Sequence, residues 1–381
     1  MNNLFTVEEQ RQNIVSIKVI GVGGGGSNMV NYMMREGLKG VDMMVANTDA
    51  QALMTSLAPH KLQLGEKLTR GLGAGMKPEV GMKAAEESYD QIKESLKGAD
   101  LVFIATGLGG GTGTGACSVV ARAAKENGSL TIAVCTQPFA FEGPKRNKLA
   151  KQGYEELKLE CDSMVVIPND KLMAVVEKNM GYAESFSMVD AVLARAVRGI
   201  SSIVLPNGVE GINTDFADLS TVMSHKGLAL MGMGHASGSD SAYEALKDAI
   251  ESPLLDNLSI NGAMGVLVHF QIHPDYPLVA INRAMQVVYD SADEDADVIF
   301  GTSVDHSFEE EEVRVTIIAT GFEREASNNA MPHHHQEETV LQPKNSGGIR
   351  AANRTLKVSG GYDVSEDIDL DTPTFIRRQL D

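Results

Sequence analysis

From Ile14 to about Val204, short apolar runs alternate with longer stretches of mixed polarity. The runs read IVSIKVIGV, DMMVANT, LVFIAT, LTIAVCT and SMVVIP. Short, nearly continuous apolar segments predict strands buried on both faces, as in a parallel sheet. Between them, PEVGMKAAEESYDQIKESLKG predicts one helix that opens with Pro78 near its first turn and closes at Gly98. Strand and helix in alternation predict an α/β fold: a doubly wound, mostly parallel sheet with helices on both faces. Ligands of such sheets bind beyond the carboxyl ends of the strands.

One long helix is predicted from Glu184 to Leu205, where Phe186, Val189, Leu193, Val197, Ile200 and Val204 recur at three- and four-residue steps. Pro206, Asn207 and Gly208 end it. Beyond it, GVLVHFQI, DVIFGTS and VRVTIIAT predict strands of a smaller α+β domain, and the alternation of the last predicts one exposed face. From Glu323 the chain turns polar and lacks the apolar surface to offset its ordering entropy. The expected organisation is therefore an α/β domain over residues 1–183, a connecting helix over 184–206 and a second domain over 207–322. A disordered linker over 323–362 and a tail over 363–381 complete it.

Composition narrows the function. The 381 residues carry a formal charge of -18, which opposes binding to nucleic acid or anionic lipid. Tryptophan is absent and aromatics are 5%, so stacking platforms for bases are not expected. Cys117, Cys135 and Cys161 stand far apart without metal-ligand spacing and read as buried thiols of a reducing compartment. No leader-like or membrane-spanning run occurs, so a cytoplasmic protein without direct membrane insertion is expected. His333, His334 and His335 form a run in a polar stretch, to which no metal role is assigned.

Two glycine-rich segments follow predicted strands. GVGGGGSN, Gly21 to Asn28, contains the dinucleotide pattern at Gly21, Gly23 and Gly26, with Asp49 about 20 residues on. Alone it predicts an NAD-dependent oxidoreductase. GLGGGTGTG, Gly107 to Gly115, opens a second helix after another strand and has no place in that reading. Two such loops can close over one polyphosphate, because helix N-termini favour anions and glycine admits close backbone approach. A third segment, RGLGAGMKPEVG, precedes another helix. The GxxxxGK[ST] pattern of P-loop nucleotidases is absent.

GGGTGTG resembles the signature of the tubulin and FtsZ superfamily. IKVIGVGGGGSN, NTDAQAL, GLGAG, PFAFEGPKR, IPNDKL and NTDFADL resemble further motifs of its bacterial cell-division branch, in order. The resemblance covers about residues 14 to 320 and the tail IDLDTPTFIRR. It implies GTP/GDP binding, assembly of head-to-tail homopolymers, and a ring at the mid-cell division site. By the same resemblance Gly24, Gly25, Gly26, Ser27 and Asn28 contact the nucleotide, with Ala74 and Gly75 near its terminal phosphate. Gly111, Thr112 and Gly113 cradle phosphates, Glu142 and Arg146 meet the ribose and phosphate region, and Asn169, Phe186 and Asp190 hold guanine. An aspartate that accepts from N1–H and the 2-amino group prefers guanine to adenine. Departures stand at Gln137, Cys117, Ser118 and Ala191, and bear on affinity rather than binding mode.

Hydrolysis needs a positioned water and neutralised phosphate charge; helix N-termini, Arg146 and Mg²⁺ supply the second. Asp215 and Asp218 lie three apart ahead of a helix, and on their own read as an N-cap pair. The resemblance implies instead that their loop, shaped by Asn213, enters the nucleotide site of the next subunit and orients the attacking water. It also implies that Asp369, Pro373, Phe375, Ile376 and Leu380 of the tail contact an FtsA-like membrane tether and other division proteins. A scaffold that binds GTP without turnover is the remaining rival, and the acidic pair counts against it.

Overall fold

The computed structural model describes residues 15–172, 181–205, 215–225, 228–255, 260 and 262–322. Asn213, the three consecutive histidines, the polar segment from Glu323 onward and the tail positions lie outside these residues.

Ten strands form one sheet in the order β3-β2-β1-β4-β5-β6-β7-β10-β8-β9. In chain order they are β1 Ile17–Val22, β2 Asp42–Asn47, β3 His60–Gln63, β4 Leu101–Gly107, β5 Leu130–Gln137, β6 Ser163–Pro168, β7 Leu228–Ser237, β8 Gly265–Ile272, β9 Asp297–Val304 and β10 Glu312–Thr320. The strands from β3 to β6 are all parallel, and β7 joins them in the same direction through Met164↔Leu228 and Val165↔Ala229. Strand β10 runs antiparallel to both β7 and β8, and β9 is parallel to β8.

Strand order reverses between β1 and β4, which lie side by side. Such a switch point leaves a crevice at the carboxyl ends, because the two connections leave on opposite faces. The alternation within each strand shows why both faces must be covered. Leu101, Phe103 and Ala105 of β4 join one core, and Val102 and Ile104 join the other.

The first core is roofed by α1 (Gly23–Arg35) and α9 (Tyr182–Val204), with α2 (Ala50–Thr55) beside β2. The second is covered by α4 (Pro78–Glu87), α5 (Tyr89–Leu96), α6 (Thr112–Glu126) and α7 (Pro144–Glu160). Short helices α3 (Glu66–Thr69) and α8 (Asn169–Leu172) turn the chain at the carboxyl edge. Helix α9 is about 34 Å long at 1.5 Å per residue. Its buried Val197, Ile200 and Ile203 share a core with Met231, Leu267 and Ile318 of the second part of the sheet. Helix α10 (Phe216–Met223) packs on that same face, and α11 (Ser241–Ile250) and α12 (Leu278–Ser291) cover the other.

Three local expectations are corrected. The helix from Pro78 to Gly98 is two helices, broken at Ser88. Ser88 is buried there and its Oγ accepts from the Gly65 N–H at 3.0 Å, so its backbone leaves helical geometry to make a tertiary bond. Strand β10 exposes only the start of one face: it lies between β7 and β8 under helices on both sides, Val313, Val315, Ile317 and Ile318 are buried, and exposure is confined to Arg314 and the half-buried Glu312. Strands β3 and β7 stand where the sequence pattern predicts none.

Candidate functional site

Loops at the carboxyl ends of β1, β2, β4, β5 and β6 enclose a cleft of about 600 Å³. Two helices begin at it. Helix α1 starts at Gly23 directly after β1, and α6 starts at Thr112 after the second glycine loop. Neither has a side-chain cap, and neither has an acidic residue in its first turn. The first N–H groups of a helix have no partner within it. Here Val22 and Gly111 stand at the two cap positions and neither has a side chain that can hydrogen-bond, so those donors and both positive helix ends are left to a ligand.

The loops lock together through their backbones. A Cβ on Gly111 would overlap the carbonyl oxygen of Gly75, and one on Gly23 would lie 2.6 Å from the Gly113 nitrogen. Gly23 also takes φ +72°, which favours glycine. Thr48 and Thr112 hydroxyls meet at 2.6 Å, and the Thr48 carbonyl accepts from Gly73 N at 3.2 Å. Buried Thr48 thus ties the end of β2 to the third glycine segment and to the start of α6.

At the other end of the cleft, Phe186, Val189 and Asp190 project from the start of α9, and Asn169 from the start of α8. Burial raises the Asp190 pKa to about 7 against the lowering field of Arg35. Asn169 is buried with its Oδ1 unpartnered. Phe139 packs edge-on against Phe186 at 5.4 Å and stacks with Phe141 at 4.9 Å. Glu142 accepts from Phe139 N at 3.0 Å and pairs with Arg146 one helical turn on, so a cation is held at the mouth by a fixed carboxylate.

Most of the nucleotide-contact residues read from sequence line this one cleft: Gly24, Gly25 and Asn28; Ala74 and Gly75; Gly111, Thr112 and Gly113; Glu142 and Arg146; Asn169, Phe186 and Asp190. Gly26 and Ser27 do not. Gly26 is pressed against Ala105 and Gly21, and the Ser27 hydroxyl donates to the Gly23 carbonyl at 2.8 Å. Their surroundings are those of residues that hold the loop's shape. Asn47, Asp49, Thr136 and Pro138 also line the cleft and were not read as contacts. Asn47 and Asp49 belong to the NTDAQAL segment and Pro138 opens PFAFEGPKR, whereas Thr136 carries no sequence signal; the Asp49 carboxylate caps α2 through Gln51 N at 2.9 Å and Ala52 N at 3.2 Å.

Asp215 and Asp218 are elsewhere. Asp215 caps α10, accepting from Ala217 N at 3.3 Å, and Asp218 lies exposed in the first turn. Helix α10 sits beside Asp100, Leu130 and Asp162, which precede or begin β4, β5 and β6. It therefore lies at the amino ends of the strands whose carboxyl ends carry the cleft. The length of β4 alone, at roughly 3.3 Å per residue, sets the two about 20 Å apart.

The residues fit a guanine nucleotide. Paired uncapped helix ends and glycine cradles suit its phosphates, while an orphaned amide oxygen and a carboxylate at the far end suit a purine edge that offers donors. The chain also matches known families. Residues 16–177 match the model of the Tubulin/FtsZ family GTPase domain, and residues 227–323 that of the FtsZ family C-terminal domain. It is 45% identical over 368 residues to the cell division protein FtsZ of two Helicobacter pylori strains, covering 96% of this chain and 92% of each relative.

The chain belongs to the FtsZ family.

It is a tubulin-like GTPase of the cell-division cytoskeleton, and the NAD-dependent oxidoreductase reading falls away. An empty FtsZ dimer from M. jannaschii superposes with a TM-score of 0.77 at 42% identity, covering 82% of this chain and 89% of that one. CetZ2 from Haloferax volcanii, a GTPγS-bound protofilament, shares the fold at 21% identity and TM-score 0.69, over 81% of this chain and 94% of that one.

Among the described residues no helix is long and apolar enough to cross a membrane, and no group of three or more His, Cys, Asp or Glu could hold a metal. The three thiols are buried and form no disulfide, and burial pushes Cys117 up to about 12.

Proposed function

We propose that this FtsZ-family chain hydrolyses GTP at the junction between successive copies in a head-to-tail filament. One observation carries the reading: the cleft and the Asp215–Asp218 pair lie at opposite ends of the same parallel strands. A single chain cannot bring them together. A second copy stacked on the first in the same orientation would, and stacking of that kind grows open filaments rather than closed rings. The dimer and protofilament forms of the related structures support the same direction.

In this reading the first and second glycine loops bind the nucleotide phosphates through the N–H groups of Gly24, Gly25, Asn28, Thr112 and Gly113. Ala74 and Gly75 border the terminal phosphate. Glu142 aims Arg146 at the phosphate and ribose region. Asp190, ionised, accepts from the guanine N1–H and 2-amino group, and Asn169 and Phe186 complete the base pocket. Gly26 and Ser27 act behind this surface by fixing the loop. Asp215 and Asp218 of the next copy orient the attacking water, with Asn213 shaping their loop. Mg²⁺ bound with the nucleotide supplies charge neutralisation. Of the cleft's carboxylates, Asp49 and Glu142 are already engaged and Asp190 is assigned to the base, so the ion would rely on phosphate and water oxygens, as magnesium commonly does.

The chain is read as a GTP-binding domain over 1–183 and a smaller domain over 207–322, joined by the helix of 184–206. A linker over 323–362 carries the tail. Tail residues Asp369, Pro373, Phe375, Ile376 and Leu380 would dock on an FtsA-like tether, which would place the filament at a cytoplasmic mid-cell ring without membrane insertion of this chain.

Asp218→Ala tests the reading. The variant is expected to bind GTP as the parent does and to assemble, while phosphate release per assembled subunit falls by roughly 100-fold or more. Release at the parental rate from assembled variant would overturn the assignment.

A further inference from the structure

A second cavity, about 320 Å³, lies between α9 and the strands β7, β8 and β10, and shares no lining residue with the nucleotide cleft. Its chemistry is cationic. Arg195 and Arg198 reach it from α9 and Arg314 from β10.

The counter-charge is incomplete. Arg314 pairs with Glu312 at 3.1 Å and lies over the Phe308 ring at 4.6 Å. The same Glu312 oxygen meets His235 Nε2 at 3.0 Å. Arg195 approaches only the Met233 sulfur, at 3.9 Å. Among the described residues neither Arg195 nor Arg198 has a carboxylate within ion-pair distance. Burial together with Arg314 and Arg198 lowers the Arg195 pKa, against smaller raising effects of Tyr32 and Glu36.

Behind the arginines, His269 of β8 is 3% exposed and lines the same cavity. Its Nε2 has no hydrogen-bond partner. Burial, with Arg198 adding to it, lowers its pKa to about 4, so the ring is neutral near pH 7 and can donate one hydrogen bond. Neighbouring guanidiniums without carboxylates repel each other, and a buried unpaired ring nitrogen costs stability. Neither feature helps the fold by itself. Both are satisfied by one bound oxyanion, which forked guanidinium donors suit well.

We propose that this cavity binds a small anion bearing two or more phosphate or carboxylate groups, held by Arg195, Arg198 and Arg314 with His269 donating to one oxygen. Its volume stands at the lower end of small-ligand pockets, which suits a diphosphate or a tricarboxylate better than a whole nucleotide.

The test uses the full-length protein saturated with GDP, so that the nucleotide cleft is closed to the probes. Inorganic pyrophosphate and citrate are titrated separately by calorimetry, which distinguishes the phosphate from the carboxylate source. At least one is expected to bind with one-to-one stoichiometry and a sub-millimolar Kd. Arg198→Gln and His269→Phe should each weaken it by roughly tenfold or more while GDP affinity stays unchanged. Should the His269 variant fold poorly, Arg195→Gln, at a more exposed position, gives the same readout. Failure of both probes to bind at about 10 mM, well above the expected Kd, would overturn the proposal. So would equal binding by the arginine variants. Arginine-dependent protection of residues 363–371 in hydrogen exchange would assign the site to the chain's own acidic tail and overturn it too.

Discussion

Gly111 and Gly75 sit backbone against backbone, so close that a Cβ on Gly111 would occupy the space of the Gly75 carbonyl oxygen. This contact joins the second and third glycine segments, which the sequence separates by a whole helix pair, into one wall of the cleft. Gly111→Ala must therefore push a backbone, not a flexible side chain. The expected result is a loss of GTP affinity of roughly 100-fold and a stability cost of about 1–3 kcal/mol, read by nucleotide titration and chemical unfolding. Affinity within twofold of the parent would show that the two loops are not held in register by this contact.

Thr48→Val tests the other tie between the loops. The substitution keeps the shape but removes the hydroxyl that meets Thr112 at 2.6 Å. It leaves the Thr112 hydroxyl short of a partner, so a cost of about 1–3 kcal/mol is expected in unfolding of the nucleotide-free protein. The deficit should shrink with GDP bound, because a phosphate oxygen can take up the freed Thr112 hydroxyl. An equal deficit with and without GDP would contradict a role for Thr112 at the ligand.

Asp190 gives a pH signature. Its pKa is raised to about 7, chiefly by burial. An acid with a raised folded pKa binds its proton more tightly in the native state. The ligand-free protein therefore loses this contribution to stability as pH climbs from about 4 to about 7. In the proposed reading, guanine recognition needs the ionised form. GDP affinity should thus rise with pH below 7 and level off above it. Asp190→Asn should bind weakly and remove this component of the profile. A parental profile that is flat between pH 5.5 and pH 8, titrated in about 0.1 M salt, would contradict the assignment.

Much of this architecture is legible in the sequence because burial writes itself as composition. Strands β1, β4, β5 and β6 are apolar on both faces, since helices cover both, and nothing but a strand explains runs that short. The unread strands have physical reasons. β3 reads HKLQ because it is an edge strand, and its residues are exposed or half-buried. β7 reads LALMGMGHAS, and its glycines look like turn signals. They are there because α11 crosses so close that a Cβ on Gly232 or Gly234 would collide with carbonyls of Ala249 and Ala245. The break at Ser88 depends on a bond to Gly65, which no local pattern records. The same holds at the cleft. Its glycines announce themselves and Asn47 and Thr48 are marked only by the NTDAQAL resemblance, whereas Thr136 is an ordinary residue made relevant by the strand end that carries it.

Mixing experiments follow from the placement of the two half-sites. A chain carrying Asp218→Ala keeps its own cleft, and a chain carrying Gly111→Ala keeps its acidic pair. Each alone should be nearly inactive. Mixed, they form junctions in which an intact cleft meets an intact pair, and phosphate release should reappear at roughly a quarter of the parental rate if neighbours are random. Activity that merely averages the two inactive preparations would place both half-sites in one chain.

The most direct measurement is phosphate release per subunit as the concentration of the purified protein is varied, with GTP and Mg²⁺ in excess. A catalytic site built between copies predicts negligible turnover at low concentration and a steep rise once filaments form. Turnover per subunit that stays constant across the whole range would mean a self-contained site, and the roles given to Asp215 and Asp218 would be wrong.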